Sequence, residues 1–300
     1  MTLLERVGAG VVIGDGAMGT ELQRAGLPIG ECGEAWTLAN PGVLQGIHEA
    51  YLAAGSELIL TNTFGANPWV LERYGLAAEY ERFNREIAGI ARRAAARRAV
   101  VLGDIGPCGH FLRPLGDVDA AELSEAFGRQ ARALLEGGAE GVIVETMSAI
   151  EEAVAAVKAA RAAGAPLVAA SMAFDELPNG SVRTMMGVSP EQAARELAAA
   201  GADILGANCG THMQPASFVT VVRAYKAAAS LPVMIQANAG RPELVDGAAV
   251  YRLAPEAFAE GMAPVVEHGA AILGGCCGTT PAHIEALHRA YGTRPEKKLE

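Results

Sequence analysis

Short apolar runs rich in β-branched residues alternate along the chain with longer stretches rich in Ala, Leu, Glu and Arg. Runs of the first kind predict buried β-strands, and stretches of the second kind predict amphipathic helices. The eight predicted strands are Val11–Asp15, Glu57–Asn62, Val100–Asp104, Gly141–Glu145, Pro166–Ser171, Ala202–Asn208, Pro232–Ala237 and Ala271–Gly275. The eight predicted helices lie near residues 42–54, 79–98, 119–137, 148–163, 189–200, 215–229, 254–267 and 280–291.

Proline and glycine mark the ends of these elements. Ser189-Pro190, Ala254-Pro255 and Thr280-Pro281 place a proline in the first turn of a predicted helix. Glycines stand where helices are expected to end, at Gly55, Gly138, Gly164, Gly201 and Gly269. Strict alternation of strand and helix predicts an α/β protein with a parallel sheet.

Eight strand–helix units in a chain of this length predict a closed (β/α)8 TIM barrel. The alternative, an open doubly wound sheet, is disfavoured because no predicted strand is followed by a GxGxxG turn. We expect one domain over residues 1–300, with the barrel at about 10–291 and a short polar tail after it.

Composition narrows the class of protein. Apolar residues make up 51% of the 300 residues and charged residues 19%, which excludes a disordered chain. The net charge of −10 gives no basic face for nucleic acid. No apolar stretch approaches the roughly 18 residues of a membrane span, and the amino terminus lacks the basic leader of a signal peptide. We therefore expect a cytoplasmic protein, with neither nucleic acid nor membrane as a partner.

The carboxyl ends of the predicted strands are polar and are followed by the longest connections, Gly16–Asn40, Gly106–Asp117 and Gly240–Leu253. In a TIM barrel the functional site lies at this end of the strands. The polar residues at the strand ends are Asp15, Asn62, Asp104, Glu145, Ser171, Cys209, Asn238, Cys276 and Cys277.

Three of the five cysteines form the most specific pattern, in GANCG (206–210) and GGCCGTTPAHI (274–284). Cys209 ends the sixth predicted strand, and Cys276 and Cys277 end the eighth. Alternate barrel strands contribute to the same interior layer, so these thiols can converge if the glycine-rich segment leaves strand geometry. Three thiolates on zinc leave one tetrahedral position open, which is typical of a catalytic site. Alternatives are buried apolar cysteines or a glycine-rich phosphate loop.

A zinc ion with three thiolate ligands is a poor activator of water, but it can hold an incoming thiol as the thiolate. A free thiol, with a pKa of about 8.5, is only slightly ionised at neutral pH. This chemistry favours alkyl transfer to sulfur.

Four segments carry a family resemblance: Asp15–Thr20 (DGAMGT), Thr61–Gly65 (TNTFG), Gly206–Gly210 and Gly275–Thr279 (GCCGT). They resemble the homocysteine S-methyltransferase family, from about residue 10 to 290. The resemblance implies methylation of homocysteine to methionine, with Cys209, Cys276 and Cys277 as zinc ligands and catalytic residues. It also implies substrate contacts from Asp15, Gly16, Ala17, Asn62, Glu145 and Asn238. Asn238 resembles a family residue that can occupy the fourth zinc position, although a turn beside Gly240 would also explain it.

The methyl donor varies within this family. Betaine-using relatives carry a tyrosine at the position of Gly65, and relatives that use S-methylmethionine have Ser-Tyr-Gln instead of Thr63-Phe64-Gly65. The Asn-Thr-Phe-Gly pattern and GDIGP (103–107) are more similar to the homocysteine domain of cobalamin-dependent methionine synthase. We therefore expect a corrinoid partner protein or methylcobalamin as donor, with no cobalamin held by this chain. S-methylmethionine and S-adenosylmethionine are the alternatives.

Two other classes of function are open. A Schiff-base aldolase needs a lysine in the site, and none of the four lysines (Lys158, Lys226, Lys297 and Lys298) ends a predicted strand. A metal-dependent lyase remains an alternative. A non-catalytic metal-binding subunit of a corrinoid system is another, but such a subunit is expected to lack a ligand or an acidic residue, and here all are present.

Overall fold

The computed structural model describes residues 1–245 and 248–292. All eight predicted strands are confirmed, with ends shifted by a few residues. The strands are β1 (Val12–Ile13), β2 (Leu58–Leu60), β3 (Val100–Ile105), β4 (Gly141–Met147), β5 (Val168–Glu176), β6 (Val182–Thr184), β7 (Ile204–Asn208), β8 (Val233–Ala237), β9 (Glu243–Val245), β10 (Ala248–Val250) and β11 (Ala270–Gly275). The predicted polar tail lies outside the described residues.

Helices follow the barrel strands and cover the sheet. They are α1 (Leu3–Ala9), α2 (Gly19–Arg24), α3 (Gly33–Ala39), α4 (Pro41–Ala53), α5 (Pro68–Glu72), α6 (Tyr80–Ala95), α7 (Ala120–Glu136), α8 (Ile150–Ala162), α9 (Pro190–Ala200), α10 (Val219–Ala228), α11 (Pro255–Gly261), α12 (Ala263–Glu267) and α13 (Pro281–Tyr291). Short 3-10 turns lie at Ala77–Glu79 and Pro215–Phe218. The predicted start and end of α9 are confirmed. Ser189 caps the helix, Pro190 is its first residue, and the left-handed Gly201 ends it.

Eight parallel strands form the predicted TIM barrel, in the order β1-β11-β8-β7-β5-β4-β3-β2. Between β1 and β2 the circle is completed by hydrogen bonds, two of which come from backbone amides. The Glu57 amide donates to the Ile13 carbonyl at 2.7 Å, and the Leu60 amide donates to Asp15 Oδ2 at 2.8 Å. The acceptor of the second bond is the side chain of Asp15, which was predicted to belong to the site. Asp15 therefore both joins β1 to β2 and lies at the functional end of the barrel.

The barrel interior changes from apolar to polar along each strand, because alternate residues of a strand face the same side. Near the amino ends the inward residues belong to one buried apolar cluster, and Leu3 of α1 packs into it. Two residues further along several strands, the next inward-facing residue is polar. The pairs are Leu102 and Asp104, Ile143 and Glu145, Ala169 and Ser171, and Met234 and Gln236. The site therefore lies on a packed apolar layer.

Several predictions about connections were wrong or incomplete. β5 continues beyond its predicted end to Glu176 and pairs antiparallel with β6, a strand that was not predicted. The predicted helix near 254–267 is two helices, α11 and α12, and the connection after β8 carries the β9–β10 hairpin. Helices α1, α2, α3 and α5 were not predicted, because they are too short to show a clear period.

Among the residues that the structure describes, no helix combines the length and the apolar composition needed to cross a membrane.

Candidate metal and amino-acid site

A cavity of roughly 530 Å³ opens at the carboxyl ends of the barrel strands. Eight of the nine residues predicted to form the site line it: Asp15, Gly16, Ala17, Asn62, Glu145, Cys209, Cys276 and Cys277. The ninth, Asn238, is buried behind Cys209, with its Nδ2 atom 3.8 Å from Cys209 Sγ and 3.1 Å from the Gly210 carbonyl oxygen. The strand-end pattern thus predicted one compact site.

The three cysteine sulfurs lie within 4.8 Å of one another, and those of Cys276 and Cys277 are 3.9 Å apart. Cys209 was predicted to end a strand. In the structure it is the first residue beyond β7. Its φ of 58° is left-handed, which turns its side chain away from regular strand alternation. Cys276 and Cys277 follow β11, where Gly278 also adopts a positive φ of 78°.

The turn that aims Cys276 and Cys277 depends on close packing against glycine. A Cβ atom on Gly275 would lie 2.3 Å from Thr279 Oγ1, and one on Gly278 would lie 2.3 Å from Tyr251 Cγ. Thr279 Oγ1 donates to the Cys276 carbonyl at 2.8 Å and accepts the Ala17 amide at 3.0 Å. Thr279 therefore connects the cysteine turn to the segment after β1.

The geometry of the cysteines fits a zinc ion. Tetrahedral zinc with Zn–S bonds of about 2.3 Å needs sulfurs about 3.8 Å apart, so the observed separations require only small adjustments. Asn238 Oδ1 is buried and, among the described residues, has no hydrogen-bond partner. The atom of Asn238 that lies 3.8 Å from Cys209 Sγ is the amide nitrogen, so the three sulfurs are the donor set that suits zinc here.

The three thiols are also electrostatically coupled. Hydrogen bonds from Cys209 and Cys276 lower the pKa of Cys277, whereas hydrogen bonds to its two neighbours raise the pKa of Cys276. One sulfur therefore ionises first, and the next loses its proton with more difficulty. A bound cation removes this conflict, because it stabilises all the thiolates together.

Three carboxyl groups line the same cavity as the thiols, those of Asp15, Asp104 and Glu145. Desolvation raises the pKa of Asp15 to about 8 and that of Glu145 to about 7. Burial, and then the charge of Glu145, also raise the pKa of Asp104. No lysine, arginine or histidine lines the cavity within the described part of the chain. These acids lack a counter-charge, and a ligand with a positive group would supply one.

Gly16, Ala17 and Asn62 also line the cavity. A Cβ atom on Gly16 would lie 2.8 Å from both Thr279 Oγ1 and Tyr51 Cε1, so only glycine fits there without displacement. Asn62 Nδ2 donates to Thr37 Oγ1 at 3.1 Å. Glycine at position 16 therefore lets the segment after β1 pack closely against Thr279 and Tyr51.

Asp104 was predicted to lie at a strand end but not to belong to the site, and no role in the site was predicted for Gln236 or Glu34. Asp104 Oδ1 is buried and, within the described residues, unpartnered. Gln236 Nε2 donates to Glu145 Oε2 at 3.4 Å. The signal for Asp104 and Gln236 was available, since both lie two residues after an inward apolar residue of the same strand. Glu34 gave no such signal because it enters the cavity from α3.

The sequence of the chain matches a known family. Residues 12–291 match the sequence model of the homocysteine S-methyltransferase family. The chain is 35% identical to methionine synthase of Mycobacterium tuberculosis (strain ATCC 25618 / H37Rv) over 99% of its own length and 26% of that protein. It is 31% identical to betaine–homocysteine S-methyltransferase 1 of Rattus norvegicus, over 95% of this chain and 73% of the relative. The chain therefore spans about a quarter of the length of the mycobacterial relative.

The fold has a counterpart among solved structures. The homocysteine methyltransferase MmuM from Escherichia coli, in its metallated form, superposes with a TM-score of 0.74 at 23% identity. The match covers 93% of this chain and 96% of that one. At this identity the likeness supports the architecture alone.

Proposed function

The chain belongs to the homocysteine S-methyltransferase family, and from this premise we propose that it transfers a methyl group to the sulfur of homocysteine, giving methionine. We further propose that Cys209, Cys276 and Cys277 hold a zinc ion. These assignments go beyond family membership, because they name the reaction and the atoms of this chain that carry it.

One observation supports the proposal most strongly: a single cavity is lined by three clustered thiols and by three carboxyl groups, and its described lining includes no cationic side chain. Homocysteine has a matching pair of ends, a thiol and an α-ammonium group. A charge-assisted hydrogen bond from the ammonium group would supply the counter-charge that these carboxyl groups lack in the free protein. A metal-dependent lyase would not need a thiol cluster and an ammonium site in the same cavity.

The residues divide the work between binding and chemistry. Asp15 and Glu145 bind the ammonium group, and the backbone at Gly16 and Ala17 lies against the amino-acid end. Zinc bound by three thiolates would favour the ionised form of the substrate thiol at neutral pH. Ionisation matters because the thiolate, not the thiol, is the nucleophile. Its electron pair forms the new S–C bond while the donor–methyl bond breaks, and the electrons of that bond leave with the donor.

For the donor we propose a methylated corrinoid, either carried by a partner protein or free as methylcobalamin. The likeness to methionine synthase supports this choice over betaine. Betaine-using relatives carry a tyrosine at the position of Gly65, and here a Cβ atom on Gly65 would lie 2.7 Å from Glu34 Oε1. The Gly65 amide donates to that same oxygen at 2.8 Å. Glu34 therefore fills the space that a larger side chain would need.

S-methylmethionine is a second candidate donor, and S-adenosylmethionine is a related one, because the cavity is acidic. Four carboxyl groups line it, including that of Glu34, and a positively charged sulfonium would be attracted to them. This attraction does not depend on a partner protein.

A competition experiment tests the proposal. Zinc-loaded protein receives homocysteine together with S-methylmethionine, S-adenosylmethionine, betaine and methylcobalamin, each with a distinct isotopic methyl label. Mass spectrometry of methionine then identifies the donor. Label from methylcobalamin alone supports the corrinoid donor, and label from a sulfonium supports the second candidate. Protein that holds zinc and binds homocysteine but yields no labelled methionine, even with a methylated corrinoid protein added, would contradict the proposed activity.

A further inference from the structure

Two barrel strands end in residues with a backbone conformation that side chains disfavour. Thr146 in β4 has a φ of 59°, and Cys209, just after β7, has a φ of 58°. Left-handed conformations at residues other than glycine persist only where the surrounding structure holds them. Thr146 is also β-branched, which makes this conformation still less favourable. Each residue adjoins a functional one, because Thr146 follows Glu145 and Cys209 is itself a proposed metal ligand.

The side chain of Asn208 connects these two strand ends. Its Nδ2 atom donates to Thr146 Oγ1 at 2.7 Å, and its Oδ1 atom accepts the Thr146 amide at 3.1 Å. The same oxygen accepts the Ser171 hydroxyl at 2.7 Å. Asn208 is fully buried, so these contacts replace those that water would make. The Asn208 side chain extends from β7 across β5 to β4, and Ser171 of β5 donates a hydrogen bond to it.

Both strand ends depart from regular alternation in the same way. On a regular strand, Glu145 and Thr146 would face opposite sides, as would Asn208 and Cys209. In the structure Glu145, Thr146 and Cys209 all line the cavity, and the register between β4 and β5 shifts between Val144 and Met147. The left-handed conformations of Thr146 and Cys209 therefore bring additional side chains into the cavity. Asn208, which precedes Cys209 and hydrogen-bonds to Thr146, connects the two.

We propose that Asn208 is a positioning residue that sets the place of Glu145 relative to Cys209, and so the spacing between the ammonium site and the metal site. This inference rests on the proposed function. An asparagine suits the role because its amide offers both a donor and an acceptor, and the contacts with Thr146 use both. An alanine at this position could hold neither end of the connection.

The first test separates the two ends of the connection. L-norleucine has the amino-acid end of homocysteine without its sulfur, so its binding reports on the ammonium site that contains Glu145 and not on the metal site. The visible spectrum of Co²⁺ in place of zinc reports on the thiolate ligands alone. We expect Asn208→Ala to weaken norleucine binding roughly tenfold and to change the cobalt–thiolate absorption.

A rescue experiment distinguishes positioning from general stability. Glycine adopts the left-handed conformation without strain, so adding Thr146→Gly to Asn208→Ala is expected to restore norleucine affinity to within about threefold of wild type. The cobalt spectrum should stay altered, because Cys209 remains unsupported. Ser171→Ala is the matched control: it keeps both Thr146 contacts, and we expect it to change norleucine affinity by no more than about twofold.

A second pair of variants applies if Asn208→Ala does not fold. Thr146→Val loses the hydroxyl contact and remains β-branched, whereas Thr146→Gly removes the strain. We expect the valine variant to bind norleucine more weakly than the glycine variant. Equal affinities in this pair, or wild-type affinity in Asn208→Ala, would overturn the role of Asn208. Failure of the wild-type protein to bind norleucine would instead contradict the proposed amino-acid site, so the two failures are distinguishable.

Discussion

The two layers of the barrel interior come from the same strands and differ by only two residues. Ile143 and Glu145 illustrate this: both face inward from β4, one into the apolar cluster and the other into the cavity. The lower layer is apolar and is closed by Leu3. The upper layer contains buried acids, thiols and amides, including Asp104 Oδ1 and Asn238 Oδ1, which have no partner among the described residues.

The contrast shows how the barrel separates stability from binding. Burying apolar side chains stabilises the folded state, whereas burying an unpaired carboxyl or amide oxygen costs free energy until a ligand satisfies it. The lower layer therefore supports the fold whether or not a ligand is present. The upper layer is costly in the free protein, and ligand binding recovers this cost.

The largest expected effect is in the lower layer. We expect Ile143→Ala to lower the free energy of unfolding by about 2–5 kcal/mol, because it removes buried methyl groups and leaves a cavity. Chemical denaturation measures this change. The dissociation constant of homocysteine for the folded protein should change little, and a large change would contradict the separation of the two layers.

The next effect is in the upper layer. Cys276→Ala removes one proposed zinc ligand, and we expect methyl transfer to fall by more than the roughly 100-fold that changes around a ligand cause. Zinc content, measured after dialysis, should fall in parallel, while the circular dichroism spectrum stays native. A variant that keeps its full zinc content would exclude Cys276 as a ligand.

Glu145 lies in the upper layer of β4, the strand whose lower-layer residue is Ile143. Glu145→Gln keeps the shape of the side chain but removes its charge. We expect zinc to be retained and homocysteine affinity to fall by about 10- to 100-fold, as for other hydrogen bonds to charged groups. Calorimetric titration gives the affinity. Loss of zinc together with affinity would show that Glu145 supports the metal site as well.

The smallest effect is a change in pH dependence. The pKa of Asp15 is raised by burial to about 8, whereas an unfolded aspartate has a pKa of about 3.9. Between these values the folded protein holds a proton that the unfolded chain has lost, so this group lowers the free energy of unfolding as pH rises.

Asp15→Asn removes this proton. Denaturation of the metal-free variant at pH 5, 6, 7 and 8 should therefore show a shallower decline than denaturation of the metal-free wild type. A decline as steep as that of the wild type would show that Asp15 is ionised in the folded state.

Much of the fold could be predicted from the sequence, because its strands and longer helices have clear periods. All eight barrel strands were predicted, including the short β1 and β2. The elements that were missed or misassigned lie in connections. Helix α1 has only seven residues. Strand β6 forms because the chain folds back and pairs antiparallel with β5, which the hydrophobic pattern of residues 174–187 does not show. Short segments of this kind depend on what they pack against.

The predicted site residues were largely brought together, because strand-end position in a parallel barrel already implies proximity. Asp104 was seen as polar but given no role, since its partner Glu145 lies on a different strand and the pattern cannot show which acids face each other. Asn208 was noted only as part of a motif. Its importance follows from three hydrogen bonds to residues that lie 37 and 62 positions away in sequence.

The barrel, the end of it that carries the site, and the chemical types present there follow from the amino-acid sequence, because periodicity and composition are local properties. Which acids lose their solvent and share one cavity with the thiols depends on contacts between distant parts of the chain. The left-handed conformations of Thr146 and Cys209 are likewise decided by the tertiary structure, since such strain depends on contacts made across the barrel.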